Sequence, residues 1–228
     1  MADPKPINLA LQGGGAHGAY TWGVLDRLLE DERITIRGIS GTSAGAMNAA
    51  AVADGLTGGG PAEARQRLTD FWQGMSRLAG IGPWLRGPAM LMGGGWNLDS
   101  SPTYWAFDLA KRTLSPYQFN PLNLNPVRDT LAEQIDFERV RRCDRISLFV
   151  SATNVRTGRI RVFERNEVTP DTLMASAALP QVYQAVEIEG EAYWDGGFMG
   201  NPAIFPLIYE TDCRDIVIVQ INPIERDN

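Results

Sequence analysis

Ser43 lies at the centre of Gly41-Thr42-Ser43-Ala44-Gly45, between an apolar run ending Ile36-Arg37-Gly38-Ile39-Ser40 and a helix-like run over 44–53. A serine hydroxyl is a weak nucleophile until a sharp strand-to-helix turn brings it within reach of a base and of oxyanion donors, and flanking glycines let the backbone make that turn. The pattern predicts a nucleophile elbow at Ser43. The proton acceptor follows by counting. The chain contains one histidine, His17, and it precedes Ser43, so the Ser…Asp…His order has no histidine to use. Carboxylates remain. The best placed is Asp195 in Trp194-Asp195-Gly196-Gly197, where two glycines permit a tight turn and close approach of another segment. An ionised Asp195 hydrogen-bonded to Ser43 can act as general base in a two-residue site. For that tetrapeptide taken alone, a surface Asp-Gly hairpin is the simpler reading.

A third element comes first in the chain. The strand-like run Ile7-Asn8-Leu9-Ala10-Leu11-Gln12 leads directly into Gly13-Gly14-Gly15-Ala16-His17-Gly18, and an amphipathic helix is expected over 19–31, with Val24, Leu25, Leu28 and Leu29 on one face. Glycines between a strand and a helix turn several backbone N–H groups toward one point at the positive end of the helix dipole, a geometry suited to an anion. Gly13, Gly15 and Gly18 also satisfy the dinucleotide pattern G-x-G-x-x-G. That reading needs an acidic residue near the end of the second strand to hold a ribose, and Gly41-Thr42-Ser43 stands there instead. The loop reads better as an oxyanion hole for a tetrahedral intermediate at Ser43.

With these residues the chain resembles the patatin-like phospholipase family. Three motifs occur in the family's order: the G-G-G-x-x-G loop at 13–18, G-x-S-x-G at 41–45 and D-G-G at 195–197. Ala175-Ser176-Ala177-Ala178-Leu179-Pro180, similar to the segment before the family's aspartate, and Ser151-Ala152-Thr153-Asn154 add support, and the likeness spans residues 7 to about 222. The resemblance implies a serine-aspartate dyad of Ser43 and Asp195 and an oxyanion hole from the amides of Gly13, Gly14 and Gly15. Gly18, Gly41, Gly45, Gly196 and Gly197 would be supporting motif residues. It further implies hydrolysis of lipid or phospholipid acyl esters, without calcium or other cofactor. Acyl transfer to another alcohol, or a lipid-binding or signalling module with a weak site, are the alternatives. Two departures stand out: His17 occupies a place where many relatives carry Arg or Lys, and relatives usually continue with helices after the strand-like 215–222, so residues 1–228 are expected to form one patatin-like domain lacking those C-terminal helices.

The elements that must position these residues read as strands alternating with helices. The expected fold is a three-layer α/β/α sandwich with a mostly parallel central sheet and catalytic loops at the strand C-termini. A Gly-rich break is expected over 55–61, helices over 62–78, 103–114 and 127–135, a buried strand over 146–152, a paired strand over 159–164, and a helix opened by Thr169-Pro170. Residues 80–102 are rich in Gly, Pro, Trp and Met and read as a cap or lid, a shallow membrane contact, or a loop anchored by its aromatics.

Composition bounds the remaining possibilities. An apolar share of 44% with 21% charged residues suits a globular enzyme, and a net charge of −6 argues against general nucleic-acid binding. Two arginine clusters, Arg139-Arg141-Arg142-Arg145 and Arg156-Arg159-Arg161-Arg165, read as solvated faces. Cys143 and Cys213 show no metal-ligand spacing, so no metal is expected. The first residues lack the pattern of a secretory signal and no run approaches the length of a spanning helix, so the expected location is cytoplasmic, with peripheral contact at the inner membrane face.

Overall fold

The apolar runs assemble into one seven-stranded sheet in which Lys5–Leu11 pairs with Ile216–Val219 and Ile34–Gly41, Ile34–Gly41 with Ser147–Asn154, Ser147–Asn154 also with Ile160–Glu164 and Glu191–Asp195, and Glu191–Asp195 with Val186–Ile188. A computed structural model describes residues 3–80 and 115–222. The expected cap beyond Gly80 and the helix expected over 103–114 lie outside the described residues. In chain order the first half comprises β1 (Lys5–Leu11), α1 (Gly18–Glu30), β2 (Ile34–Gly41), α2 (Ala44–Gly58) and α3 (Pro61–Gly80). Then follow α4 (Pro116–Phe119), α5 (Pro126–Gln134), α6 (Phe137–Arg142), β3 (Ser147–Asn154), β4 (Ile160–Glu164) and α7 (Pro170–Ala177). The chain closes with β5 (Val186–Ile188), β6 (Glu191–Asp195), α8 (Phe205–Tyr209) and β7 (Ile216–Val219).

Period-two alternation divides the strands between two faces of the sheet. Ile7, Leu9 and Leu11 of β1 and Leu148, Val150 and Ala152 of β3 enter the main core with α2, α3 and Leu25 of α1. Ala10 and Phe149 point to the opposite face, where they meet Leu207 of α8. Polar residues on that second face tie down the returning chain: Asn8 Nδ2 donates to the Cys213 carbonyl at 2.9 Å, and Ser40 Oγ to the Ala203 carbonyl at 2.5 Å.

Helix α2 is buried from Ala44 to Leu56, and its alanines and glycines let it lie close to the sheet on one side and to α3 on the other. Its larger side chains, Met47, Val52 and Leu56, join Leu68 and Phe71 of α3 in the core. Burying such groups is worth about 1.5–3 kcal/mol each. The Gly-rich break expected over 55–61 is instead helical through Gly58, and the chain turns at Gly59 and Gly60, the latter with φ 87°. The glycine at 55 has a packing role: a Cβ there would collide with the backbone of Ala64 in α3.

Strand register determines where the functional loops meet. β2 runs parallel to β3, pairing Gly38–Gly41 with Ser147–Val150. β4 occupies the opposite edge of β3, pairing with Phe149 through Thr153. β6 also pairs with Ala152 and Thr153, antiparallel, and since β4 already fills one edge there, β6 must share the β2 edge. β2 and β6 therefore approach head-on along one side of β3. β2 ends at Gly41 opposite Val150, and β6 ends at Asp195 opposite Ala152.

Candidate active site

Ser43 heads α2 with φ 53° and ψ −123°, a conformation that L residues rarely adopt. The elbow is forced by close approaches on either side. A Cβ at Gly45 would drive into the Leu11 carbonyl, and one at Gly41 would lie 2.6 Å from the Ala46 nitrogen. The Ser43 N–H donates to Ser176 Oγ at 2.8 Å, and Ser176 Oγ–H in turn donates to the Ser151 carbonyl at 2.6 Å. Ser176 reaches this point because α7 starts where Thr169 caps it, with reciprocal Thr169 and Thr172 side-chain bonds to backbone N–H groups. Beneath the elbow, the buried Thr42 hydroxyl meets Ser151 Oγ at 2.5 Å and donates to the Gly200 carbonyl at 2.9 Å.

Asp195 is buried, and its backbone is fixed on two sides: its N–H donates to the Ala178 carbonyl at 3.0 Å, and its carbonyl accepts from Thr153 Oγ1 at 2.9 Å. Its Oδ1 accepts the Gly197 N–H at 2.6 Å. Removal from water pushes its pKa above the usual aspartate value, while the Gly197 N–H and the Ser43 hydroxyl beside it favour the ionised form and moderate the rise. A base raised from the ordinary carboxylate value is better matched to proton abstraction from a hydroxyl.

The glycine loop packs directly on the elbow. A Cβ at Gly13 would come within 2.7 Å of Ser43 Cβ, and one at Gly18 within 2.6 Å of Ala44 Cβ. Of the three amides expected to serve an oxyanion, Gly13 N–H is already engaged, donating to Asn201 Oδ1 at 2.6 Å. Those of Gly14 and Gly15 have no hydrogen-bond partner among the described residues. Gly15 supplies the left-handed turn, with φ 57°. His17 is exposed and its Nδ1 lies 3.2 Å from the Gly14 carbonyl, a local contact within the loop.

These parts line one cavity of about 750 Å³. Ser43, Asp195 and the three glycines form its polar end, and Met47, Phe71, Trp72, Met75, Met174 and Tyr183 much of its apolar wall. The Trp72 indole is held by Asn48 Oδ1 at 2.9 Å, and Asn48 Nδ2 donates to the Gly18 and Ala44 carbonyls. Asn48, Ser176 and Asn201 are the polar residues that the motif reading did not assign a role. Their partners lie up to 188 residues away in sequence, beyond any local pattern.

Elsewhere the expected solvated faces are matched by carboxylates. Arg139 lies 3.3 Å from Asp136 and 3.8 Å from the buried Asp54, Arg156 lies 3.3 Å from Glu191, and Arg141 and Arg161 pair with Glu138 and Glu167. Among the described residues there is no cluster of three or more His, Cys, Asp or Glu arranged to hold a metal ion, and no helix long and apolar enough to cross a membrane.

A serine on a strained strand-to-helix turn, a buried aspartate at the end of the opposing strand and a glycine loop packed on the serine thus meet on one α/β sheet. The chain matches the Patatin-like phospholipase family model over residues 9–208 and belongs to that family. Among solved structures it is similar to VipD from Legionella pneumophila, at 18% identity and a TM-score of 0.46, covering 95% of this chain and 49% of that one. It is also similar to the heterodimeric ExoU-SpcU complex of the Pseudomonas aeruginosa type III secretion system, at 21% identity and a TM-score of 0.40, covering 79% and 38%. The chain thus spans half or less of the length of these two. A search of curated proteins returns no significant match.

Proposed function

We propose that the protein is a carboxylic-ester hydrolase acting on lipid acyl esters through a Ser43–Asp195 dyad. Ser43 Oγ attacks the ester carbonyl as Asp195 takes its proton, and the glycine-loop amides receive the charge that develops on the carbonyl oxygen. Collapse expels the alcohol, which takes the proton from Asp195 and leaves an acyl-serine. Water, deprotonated by Asp195, then attacks that ester; the fatty acid departs and Ser43 Oγ recovers its proton. The observation that carries this reading is the convergence of Ser43 and Asp195 from opposite directions at the polar end of an apolar cavity of about 750 Å³. A cavity of that size with few polar groups suits an acyl chain.

Leu179 and Phe198 both line the cavity and are exposed, and Met199, next to Phe198 in the chain, is exposed too. An apolar rim of this kind supports peripheral contact with a lipid surface, where substrate would enter.

The test is intact-mass detection of a fluorophosphonate adduct with the modified peptide mapped. Wild type is expected to label at Ser43, Ser43→Ala to remain unlabelled, and Asp195→Asn to label at least about 10³-fold more slowly, in keeping with the loss of a triad-type base. No adduct on folded wild type, or labelling that persists in Ser43→Ala, overturns the dyad.

A further inference from the structure

The Asn201 carboxamide faces Gly13 with both of its polar ends. Its Oδ1 accepts the Gly13 N–H at 2.6 Å and its Nδ2 donates to the Gly13 carbonyl at 3.3 Å, which fixes the amide orientation, since the reverse would set two donors against each other. Asn201 belongs to the segment that leaves Asp195, and the residue before it, Gly200, accepts from Thr42 next to the candidate nucleophile. The Gly13 backbone in turn lies against Ser43, with no room for a side chain. One carboxamide therefore links the glycine loop to the turn that carries the aspartate.

We infer that Asn201 is a positioning residue that takes up the Gly13 amide, leaves Gly14 and Gly15 as the two oxyanion donors, and holds them in fixed relation to Asp195. This rests on the dyad reading above. A two-point amide clamp on Gly13 matters because Gly13, Gly14 and Gly15 have no side chains of their own to anchor them, and a displacement of about 1 Å at a reacting centre can cost 10²-fold in rate. Asn201 never touches the reacting atoms in this scheme. It sets where the donors stand.

Two measurements test the assignment. In wild type, amide exchange followed residue by residue by NMR is expected to show Gly13 protected before reaction, and Gly14 and Gly15 gaining protection in the fluorophosphonate adduct while Gly13 is unchanged. If Gly13 is the amide that gains protection in the adduct, the proposal is overturned. This measurement needs no variant. In Asn201→Ala and Asn201→Leu, ester turnover is expected to fall about 10²-fold in kcat with KM within about threefold, because Asn201 lines the cavity beside the glycines while the apolar wall of Met47, Phe71, Trp72, Met75 and Met174 is left intact. A kcat within threefold of wild type in a folded variant also overturns it. A loss confined to KM would instead place Asn201 in substrate binding and overturn the positioning role. Failure of the dyad itself is distinguishable: wild type would then form no adduct at all.

Discussion

The two halves of the candidate site are built on different principles. Ser43 stands on a β2–α2 elbow shaped first by close backbone approach, with glycines at 41 and 45 admitting the backbones of Ala46 and Leu11. Asp195 stands at the end of a short antiparallel hairpin, and residues distant in sequence hold it and the turn that follows: Ala178, Thr153, Thr42, Ser40 and Gly13. Steric exclusion dominates the first half, where one hydrogen bond from the Ser43 N–H to Ser176 Oγ assists it, and hydrogen bonds dominate the second, where Gly196 alone lies too close to the Ser151 carbonyl for a Cβ. Steric exclusion is unforgiving at single positions, whereas a polar net shares its load over several bonds worth about 1 kcal/mol each.

The largest effect that separates the halves is expected at Asp195. Asp195→Asn removes the proposed base and should lower turnover by about 10³–10⁴-fold, yet it should not destabilise the protein at neutral pH. The sign follows from the raised pKa: the protonated carboxyl contributes stability that is complete below the unfolded value of about 3.9 and is lost as pH rises through the folded-state value. A neutral amide escapes that loss. Thermal unfolding from pH 4 to 8 should place the variant at or above wild type at pH 7, with the gap closing toward pH 4, and a variant that melts well below wild type at pH 7 contradicts the desolvation account.

Next in size is Gly45→Ala, which pushes a methyl into the Leu11 carbonyl at the centre of the fold and should cost about 1–3 kcal/mol or more. Denaturant titration measures it, and a cost below 0.5 kcal/mol would show that the elbow yields more readily than its contacts imply. Ser40→Ala, on the aspartate side, removes one buried hydrogen bond to Ala203 and should cost about 0.5–1.5 kcal/mol in the same titration. If it proves the costlier of the two, the contrast between the halves is reversed. The smallest expected effect is in the wild-type pH profile. The ascending limb of kcat/KM should lie above the roughly 3.9 of an unperturbed aspartate, and a limb at or below that value contradicts Asp195 as a desolvated base.

This contrast also decides what was legible in the sequence. The elbow, the glycine loop and the helix start at Thr169-Pro170 are local signals, and each falls where its residues indicate. The Asp-Gly-Gly turn was readable as a turn, but its proximity to Ser43 depends on β6 sharing an edge of β3 with β2, which no short window encodes. Gly55 illustrates the reverse error. A glycine-rich stretch reads as a break, yet at Gly55 the missing side chain makes room for Ala64 on the neighbouring helix, so the helix continues. Helix α6 was hidden because its sequence, Phe137-Glu138-Arg139-Val140-Arg141-Arg142, draws notice as a charge cluster; its start is set by Asp136, whose side chain accepts the Glu138 and Arg139 N–H groups. Asn201 and Ser176 carry no local signature of their roles, since a lone Asn or Ser is ordinary in any loop or helix end.

The end-to-end placement of β2 and β6 gives β3 the function of a ruler. With Gly41 opposite Val150 and Asp195 opposite Ala152, the gap across which a proton would travel is graduated in β3 residues, each about 3.3 Å long. Deleting a single residue between those two marks would shorten the gauge by one graduation and turn every later side chain to the other face. Substitutions at the apolar positions Leu148, Val150 and Ala152 of β3 leave this spacing intact, whereas a change in the strand's count does not, so a lineage that keeps the spacing should reject insertions or deletions in β3 more strictly than new apolar residues.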